Sequence, residues 1–198
     1  DLQTDYKHAI DLHDVGDNIN LELMRAGTQL SLSLEAREAL DSYSLVTGER
    51  FDQSPDYVIY GGVLFVPLNM NLIKRWGSDW SRSAPVTLLQ ARNQWSSPER
   101  SQLVVALQVL AADVNLGYHD WRNWIVDSIN GEAIRDFNHF AQQLAANEQE
   151  YVVLENDNGY QMVIEHSAAL ASQDEILARY QIPSARSASL EPLEPQYP

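Results

Sequence analysis

The residues able to do acid–base, nucleophilic or metal chemistry are plentiful in this 198-residue chain, but they are scattered. A hydrolytic serine needs a His base, an orienting acid and converging backbone amides, which glycines beside the serine usually supply. Here no Ser immediately precedes a Gly or stands two before one, so neither Gly-Asn-Ser-Gly nor G-x-S-x-G occurs. Cys is absent, which removes thiolate nucleophiles, thiolate metal sites and disulfides. His8 and His13 are five apart on a predicted short helix that ends between them, and His119, His139 and His166 stand alone, so no H-x-x-x-H or H-E-x-x-H ligand spacing exists. Close acid pairs such as Asp11/Asp14 and Glu148/Glu150 are expected by chance among 28 Asp and Glu. Asp113 and Asp127 are the best candidates for a glycosidase pair, and both read more simply as turn acids. Nothing here points to a metal, a cofactor or a reaction carried by this chain.

With 13 Lys and Arg against those 28 acids, the formal net charge is −15. Such a chain repels phosphate backbones and anionic lipid surfaces, which argues against nucleic-acid binding. No apolar run reaches the roughly 18 residues of a membrane helix. The chain opens Asp1-Leu2-Gln3 with neither an initiator Met nor a secretory leader, as expected of a trimmed or processed piece.

The most informative segment is Tyr60-Gly61-Gly62-Val63-Leu64-Phe65. It matches neither nucleotide-binding glycine motif. Two glycines opening an apolar strand let backbone amides converge into a nest for a carboxylate, with Val63–Val66 free to accept a peptide as an added strand. A β-bulge or tight barrel corner would use Gly-Gly equally well. Trp121 and Trp124 around Arg122-Asn123, like Trp76 and Trp80, fit core or rim packing or an exposed contact surface.

Around this segment the elements are read from period and punctuation. Thr4–Leu12 predicts a short helix. Alternation at Ile19, Leu21, Leu23 and at Leu30, Leu32, Leu34 about Ala26-Gly27 predicts a hairpin. Glu35–Tyr43 is compatible with a helix, and Ser44–Asp56 reads as a connector. Tyr57–Leu68 is strongly apolar; Met70–Trp76 and Ala84–Trp95 are predicted helical, the latter with Pro85 in its first turn. Gln102–Ala112 and Trp124–Ile129 are strands, with Asn130-Gly131 a turn. Asp136 caps a helix to Ala146 with Phe137, Phe140, Ala141 and Leu144 on one face. Tyr151–Leu154 and Tyr160–Ile164 form a hairpin. Ser172 is expected to cap a last helix to Tyr180 in a capping box with Glu175. Ser184–Pro198, with three Pro, is expected to be a disordered tail. Helix, strand, Gly turn and strand recur at Thr4–Glu35 and Asp136–Glu165, suggesting two copies of one module, the first truncated.

Taken together, Tyr57-Val58-Ile59-Tyr60-Gly61-Gly62-Val63-Leu64-Phe65-Val66-Pro67-Leu68, Ala84-Pro85-Val86-Thr87-Leu88-Leu89, Val109–Tyr118, Ile129-Asn130-Gly131 and Ile176–Ser184 resemble, in order, the second PDZ domain of Deg/HtrA-type serine proteases, nearest the plant Deg-like branch and its bacterial relatives. Asp5–Glu35 resembles the closing helix and hairpin of that family's first PDZ domain. The resemblance implies an α+β, mainly β fold: a PDZ-like, partly open β-barrel capped by helices, with a helical insertion at about residues 69–97. It implies a first-PDZ remnant over 1–36, a linker over 37–56, a second PDZ-like domain over 57–183 and a tail over 184–198. The family's protease domain lies upstream and is not in this sequence, so the implied role is a non-catalytic peptide-binding and regulatory region. A peptide would add to Val63–Val66 beside the Asp136–Ala146 helix. Tyr60, Gly61, Gly62, Val63, Leu64 and Phe65 would hold its main chain and terminus, and Phe65, Phe140 and Leu144 would line its side-chain pocket. The alternative is a structural oligomerisation module whose groove is filled by its own chain. Implied partners are peptides or unfolded-protein segments and further protease subunits in a homo-oligomer. The implied compartment is periplasmic or otherwise secretory in a bacterium.

Overall fold

A computed structural model describes residues 10–37 and 43–190, in two units, Asp1–Ser42 and Tyr43–Pro198. The helix expected over Thr4–Leu12 falls almost wholly outside the described residues, as does most of Glu35–Tyr43; Glu35 itself closes a strand.

In the first unit, β1 (Asn18–Arg25) and β2 (Thr28–Glu35) pair antiparallel. The two turn residues, Ala26 at φ 50° and Gly27 at φ 79°, both adopt the left-handed conformation that matches the twist of a tight hairpin. The register sets Ile19 opposite Leu34, Leu21 opposite Leu32 and Leu23 opposite Leu30. These apolar pairs share one face, as the period-2 pattern requires.

In the second unit, β3 (Val58–Tyr60), β4 (Val63–Pro67), β5 (Val104–Val109) and β6 (Arg122–Val126) form one antiparallel sheet in that order. A second sheet has the order β10-β9-β7-β8, from β7 (Ser128–Ile129), β8 (Glu132–Ala133), β9 (Tyr151–Glu155) and β10 (Gln161–Glu165). Inward side chains of both sheets meet α4 (Phe137–Ala145) in one core that includes Val63, Phe65, Val104, Val126, Phe140, Leu144, Leu154 and Ile164. The insertion forms α1 (Met70–Lys74), α2 (Trp80–Ser83) and α3 (Val86–Ala91), whose Ile73 and Leu88 build a second core with Leu45, Val46, Leu68 and Val105. A third, small cluster joins Ile59 and Leu110 to Ile176 of α5 (His166–Arg179). The first sheet is therefore covered on both faces, which is why Tyr57–Leu68 reads as a continuous apolar run rather than an alternating one. The fold is the PDZ-like, mainly β arrangement with a helical insertion.

Local chemistry sets the helix starts. Asn69 Oδ1 accepts from the Leu72 amide at 2.9 Å, and Asp136 Oδ1 accepts from the His139 amide at 2.8 Å. The same reasoning fails at Ser172. The last helix begins at His166, directly after β10, and Ser172 lies inside it with its hydroxyl donating back to the Ala168 carbonyl at 2.7 Å. The helix-favouring run Ala168-Ala169-Leu170-Ala171 carries the helix through the position read as its start.

Two boundaries also shift. Residues placed in the linker join the second unit: Leu45 and Val46 are buried, and the Thr47 carbonyl accepts from the Met70 amide at 2.9 Å. Within the expected disordered tail, residues 184–190 are ordered. Ser187 and Leu190 are buried, and Ala188–Leu190 forms a single 3-10 turn. The rest of the tail lies outside the described residues.

Candidate peptide-recognition site

Tyr60 ends β3 and Val63 begins β4, so Gly61 and Gly62 are the two loop residues of a tight hairpin, at φ 53° and 79°. The turn is enclosed. A Cβ on Gly61 would come within 2.8 Å of Ile164 Cγ2, and one on Gly62 within 2.7 Å of the Leu110 carbonyl, with the Asn115 amide closer still. Real Cβ atoms do not come this close to another heavy atom, and the neighbours here are a buried β-branched side chain at Gly61 and backbone at Gly62, so both positions favour glycine for space as well as for φ. Asn115, fully buried, clamps the turn. Its Nδ2 donates to the Gly61 and Leu110 carbonyls, both at 2.8 Å, and its Oδ1 accepts from the Ala112 amide at 3.0 Å. No sequence motif assigns Asn115 a role of its own; its signal is its place in the Val109–Tyr118 stretch, just before Leu116-Gly117. The glycine pair thus serves a corner, and its carbonyls are held from inside.

The other expected site residues do come together, but as packed interior. Phe65 and Phe140 are fully buried, with ring centroids 4.8 Å apart, and Val63 and Leu144 share their core. Leu64 points to the other face and packs, half-buried, against the Ile59–Leu110–Ile176 cluster. The Tyr60 hydroxyl lies 2.7 Å from His166 Nδ1, and burial pushes its phenol pKa up to about 12. The expected pocket of Phe65, Phe140 and Leu144 is filled by its own side chains.

Strand pairing decides what can add where. β4 is bonded on one edge by β3, with Val58 opposite Phe65 and Tyr60 opposite Val63, and along its other edge by β5. No edge of Val63–Phe65 is free, so direct addition of a peptide there is corrected by the pairing itself. The outer edge of β3 is the next position, and the chain's own residues lie on it. The Ile59 amide donates to the Ala185 carbonyl at 2.6 Å, the Ser187 amide to the Tyr57 carbonyl at 3.0 Å, and Val58 faces Arg186 in an antiparallel bridge. The Tyr57 amide donates to Ser187 Oγ at 3.2 Å and the Tyr57 hydroxyl to the Ser184 carbonyl at 3.2 Å. Leu190 then anchors the segment in the main core.

The candidate acids are structural. Asp127 pairs with Arg100 and accepts from the Asp157 amide at 2.7 Å, and Asp113 opens a 3-10 turn. Among the described residues no three His, Asp or Glu converge to hold a metal ion. None of the described helices is long and apolar enough to cross a membrane.

The family model described as "PDZ domain" matches residues 46–189. The chain belongs to the PDZ domain family. The match starts within the buried Leu45-Val46 segment and runs through the residues that cover β3, in agreement with the structural boundaries. Among relatives, the chain is similar to "Protease Do-like 2, chloroplastic" of Arabidopsis thaliana, 33% identical over 192 residues, covering 96% of this chain and 30% of that protein. It is also similar to "Protease Do-like 4, mitochondrial" (26% identical; 91% of this chain, 32% of the relative) and "Putative protease Do-like 12, mitochondrial" (22% identical; 91% and 32%), both of the same plant. The chain spans under a third of the length of these relatives. It is a PDZ region similar to part of the Do-like proteases, and PDZ domains take peptide segments as partners.

Proposed function

We propose that this PDZ region is a non-catalytic regulatory part of a Deg-type protease whose peptide-accepting edge is covered by its own chain. The observation that carries the reading is the pairing of residues 185–187 on β3. A visiting peptide would add to β3 by the same main-chain hydrogen bonds, and it must first displace that segment. Each backbone hydrogen bond contributes about 0.5–1.5 kcal/mol net, and burial of Leu190 adds about 2. A weak peptide is therefore excluded and a strong one admitted, which makes the covered edge a threshold. The names of the relatives support an organellar compartment over the bacterial periplasm expected from sequence.

The test uses Ser187→Pro, which deletes the amide that donates to the Tyr57 carbonyl while leaving Leu190 in place. Titration with an apolar-ended peptide should show at least a severalfold tighter complex for the variant than for the unaltered chain. Equal affinities would end the reading.

A second reading, assembly with other protease subunits, is supported by the β1–β2 hairpin, where Leu23, Leu30, Leu32 and Leu34 are exposed on one face. Sedimentation at increasing concentration checks it; a concentration-independent monomer counts against self-assembly through this face.

A further inference from the structure

A cleft of about 500 Å³ opens over the far end of β5 and β6, away from the β3 edge. Its lining includes Arg75, Trp76, Gln108, Trp121 and Arg122. In a chain of net charge −15, no carboxylate lines it. Among the described residues neither Arg75 nor Arg122 has an acidic partner, a state shared by Arg25, Arg92 and Arg186, whereas Arg37, Arg50, Arg82, Arg100, Arg135 and Arg179 all have one.

The backbone beneath the cleft is irregular in a way that serves it. A regular strand sends successive side chains to opposite faces. Here Gln108 is exposed beside the cleft while Val109 keeps its side chain in the main core, and Trp121, Arg122 and Asn123, at and just before the start of β6, border the same cleft. The cause is visible in the register. The β4–β5 pairing shifts at Leu64/Phe65, leaving Leu107 as the extra residue, and the β5–β6 ladder skips from Ala106↔Trp124 to Gln108↔Arg122. Opposite Leu107, Asn123 sits at φ 55°. A bulge facing a left-handed residue re-aims side chains, and such irregularities concentrate at functional sites.

Arg75 and Trp121 are held by aromatic neighbours. The Arg75 guanidinium lies 5.7 Å from the Trp76 ring centroid. The Trp121 ring is braced edge-on by Tyr118 and Trp124, each at 5.2 Å. Two guanidiniums with a fixed fork of donors match carboxylates, and two indoles of the same lining offer apolar surface.

We infer that this cleft binds an acidic peptide segment, with carboxylates on Arg75 and Arg122 and an aromatic or aliphatic side chain against Trp76 and Trp121. The remaining charge selects against long polyanions. At physiological salt the Debye length is about 8 Å, so one or two carboxylates feel mainly the arginines, whereas a nucleic acid or an anionic membrane meets the acidic surface as well.

The test is calorimetric titration of the full chain with acetyl-Glu-Asp-Phe-Glu-Leu-amide, alongside a lysine-for-acid version and inorganic phosphate. The acidic peptide should bind, more weakly as salt rises. Arg75→Gln with Arg122→Gln should weaken it at least about tenfold without moving the melting temperature. Absence of binding up to millimolar peptide overturns the inference. So does equal binding by the lysine version, equal competition by phosphate, or indifference to the double substitution. Ser187→Pro leaves this binding unchanged, so failure here and failure of the β3 reading are separable.

Discussion

The seam between β4 and α4 and the cleft over β5 and β6 are built from the same sheet and differ in nearly every physical respect. The seam is apolar and closed: Phe65 meets Phe140, Gly61 and Gly62 lie against Ile164 and Asn115, and both edges of β4 are paired. The cleft is cationic and open, and its strands are irregular where the seam's Val63–Phe65 pairing with β3 is regular. The contrast separates two uses of glycine-rich and aromatic sequence. In the seam these residues close a corner and fill a core. In the cleft Trp76 and Trp121 are partly buried against the cores, and Arg75 and Arg122 stay exposed with no acidic partner among the described residues.

Substitutions sharpen that contrast in order of expected size. Phe140→Ala should cost about 3–5 kcal/mol of unfolding free energy, since both rings of the Phe65–Phe140 pair are enclosed; chemical denaturation reads it, and a cost below about 1 would show the seam to be loose. Gly62→Ala should approach that loss, whereas Gly131→Ala, also at positive φ but with open space around it, should lose only about 1–2 kcal/mol. Leu190→Ala should cost about 2–3 kcal/mol and speed amide exchange at Ile59, tying the covered edge to its anchor.

Tyr60 gives the seam a pH signature. Its folded-state pKa is raised to about 12 by burial, so the associated stability is complete below the unfolded value near 10 and drains away as pH rises from 10 to 12. Tyr60→Phe should flatten that decline in denaturation curves taken across the window. Smallest of all, Arg122→Gln alone should leave stability within about 0.5 kcal/mol, because the side chain is exposed and unpaired among the described residues. A larger loss would mean that the cleft is structural.

What the sequence made legible was chemistry acting over a few residues. Asp136 caps α4 because its carboxylate reaches the His139 amide, and that requires only spacing. Asn130-Gly131 and Ala26-Gly27 mark hairpins because few residues tolerate positive φ. The family itself was legible from ordered motifs across residues 57–186. What escaped was pairing set by distant residues. Ile59 and Ala185 meet across the chain, and Ser184–Leu190 offers only one large apolar side chain to announce it. Val63, Phe65, Phe140 and Leu144 form core rather than groove lining, because a buried strand and a groove-facing strand share the same apolar pattern. At Ser172 the reverse holds: a local capping signal is outweighed by the helix-favouring residues before it.

The most direct test of the covered edge is hydrogen exchange at the Ile59 amide, compared between the unaltered chain and Ser187→Pro with and without peptide. Slow exchange should be seen in the unaltered chain, fast exchange in the variant, and slow exchange again once peptide occupies β3. If Ile59 exchanges at one rate in all three states, residues 185–187 do not govern access to this edge.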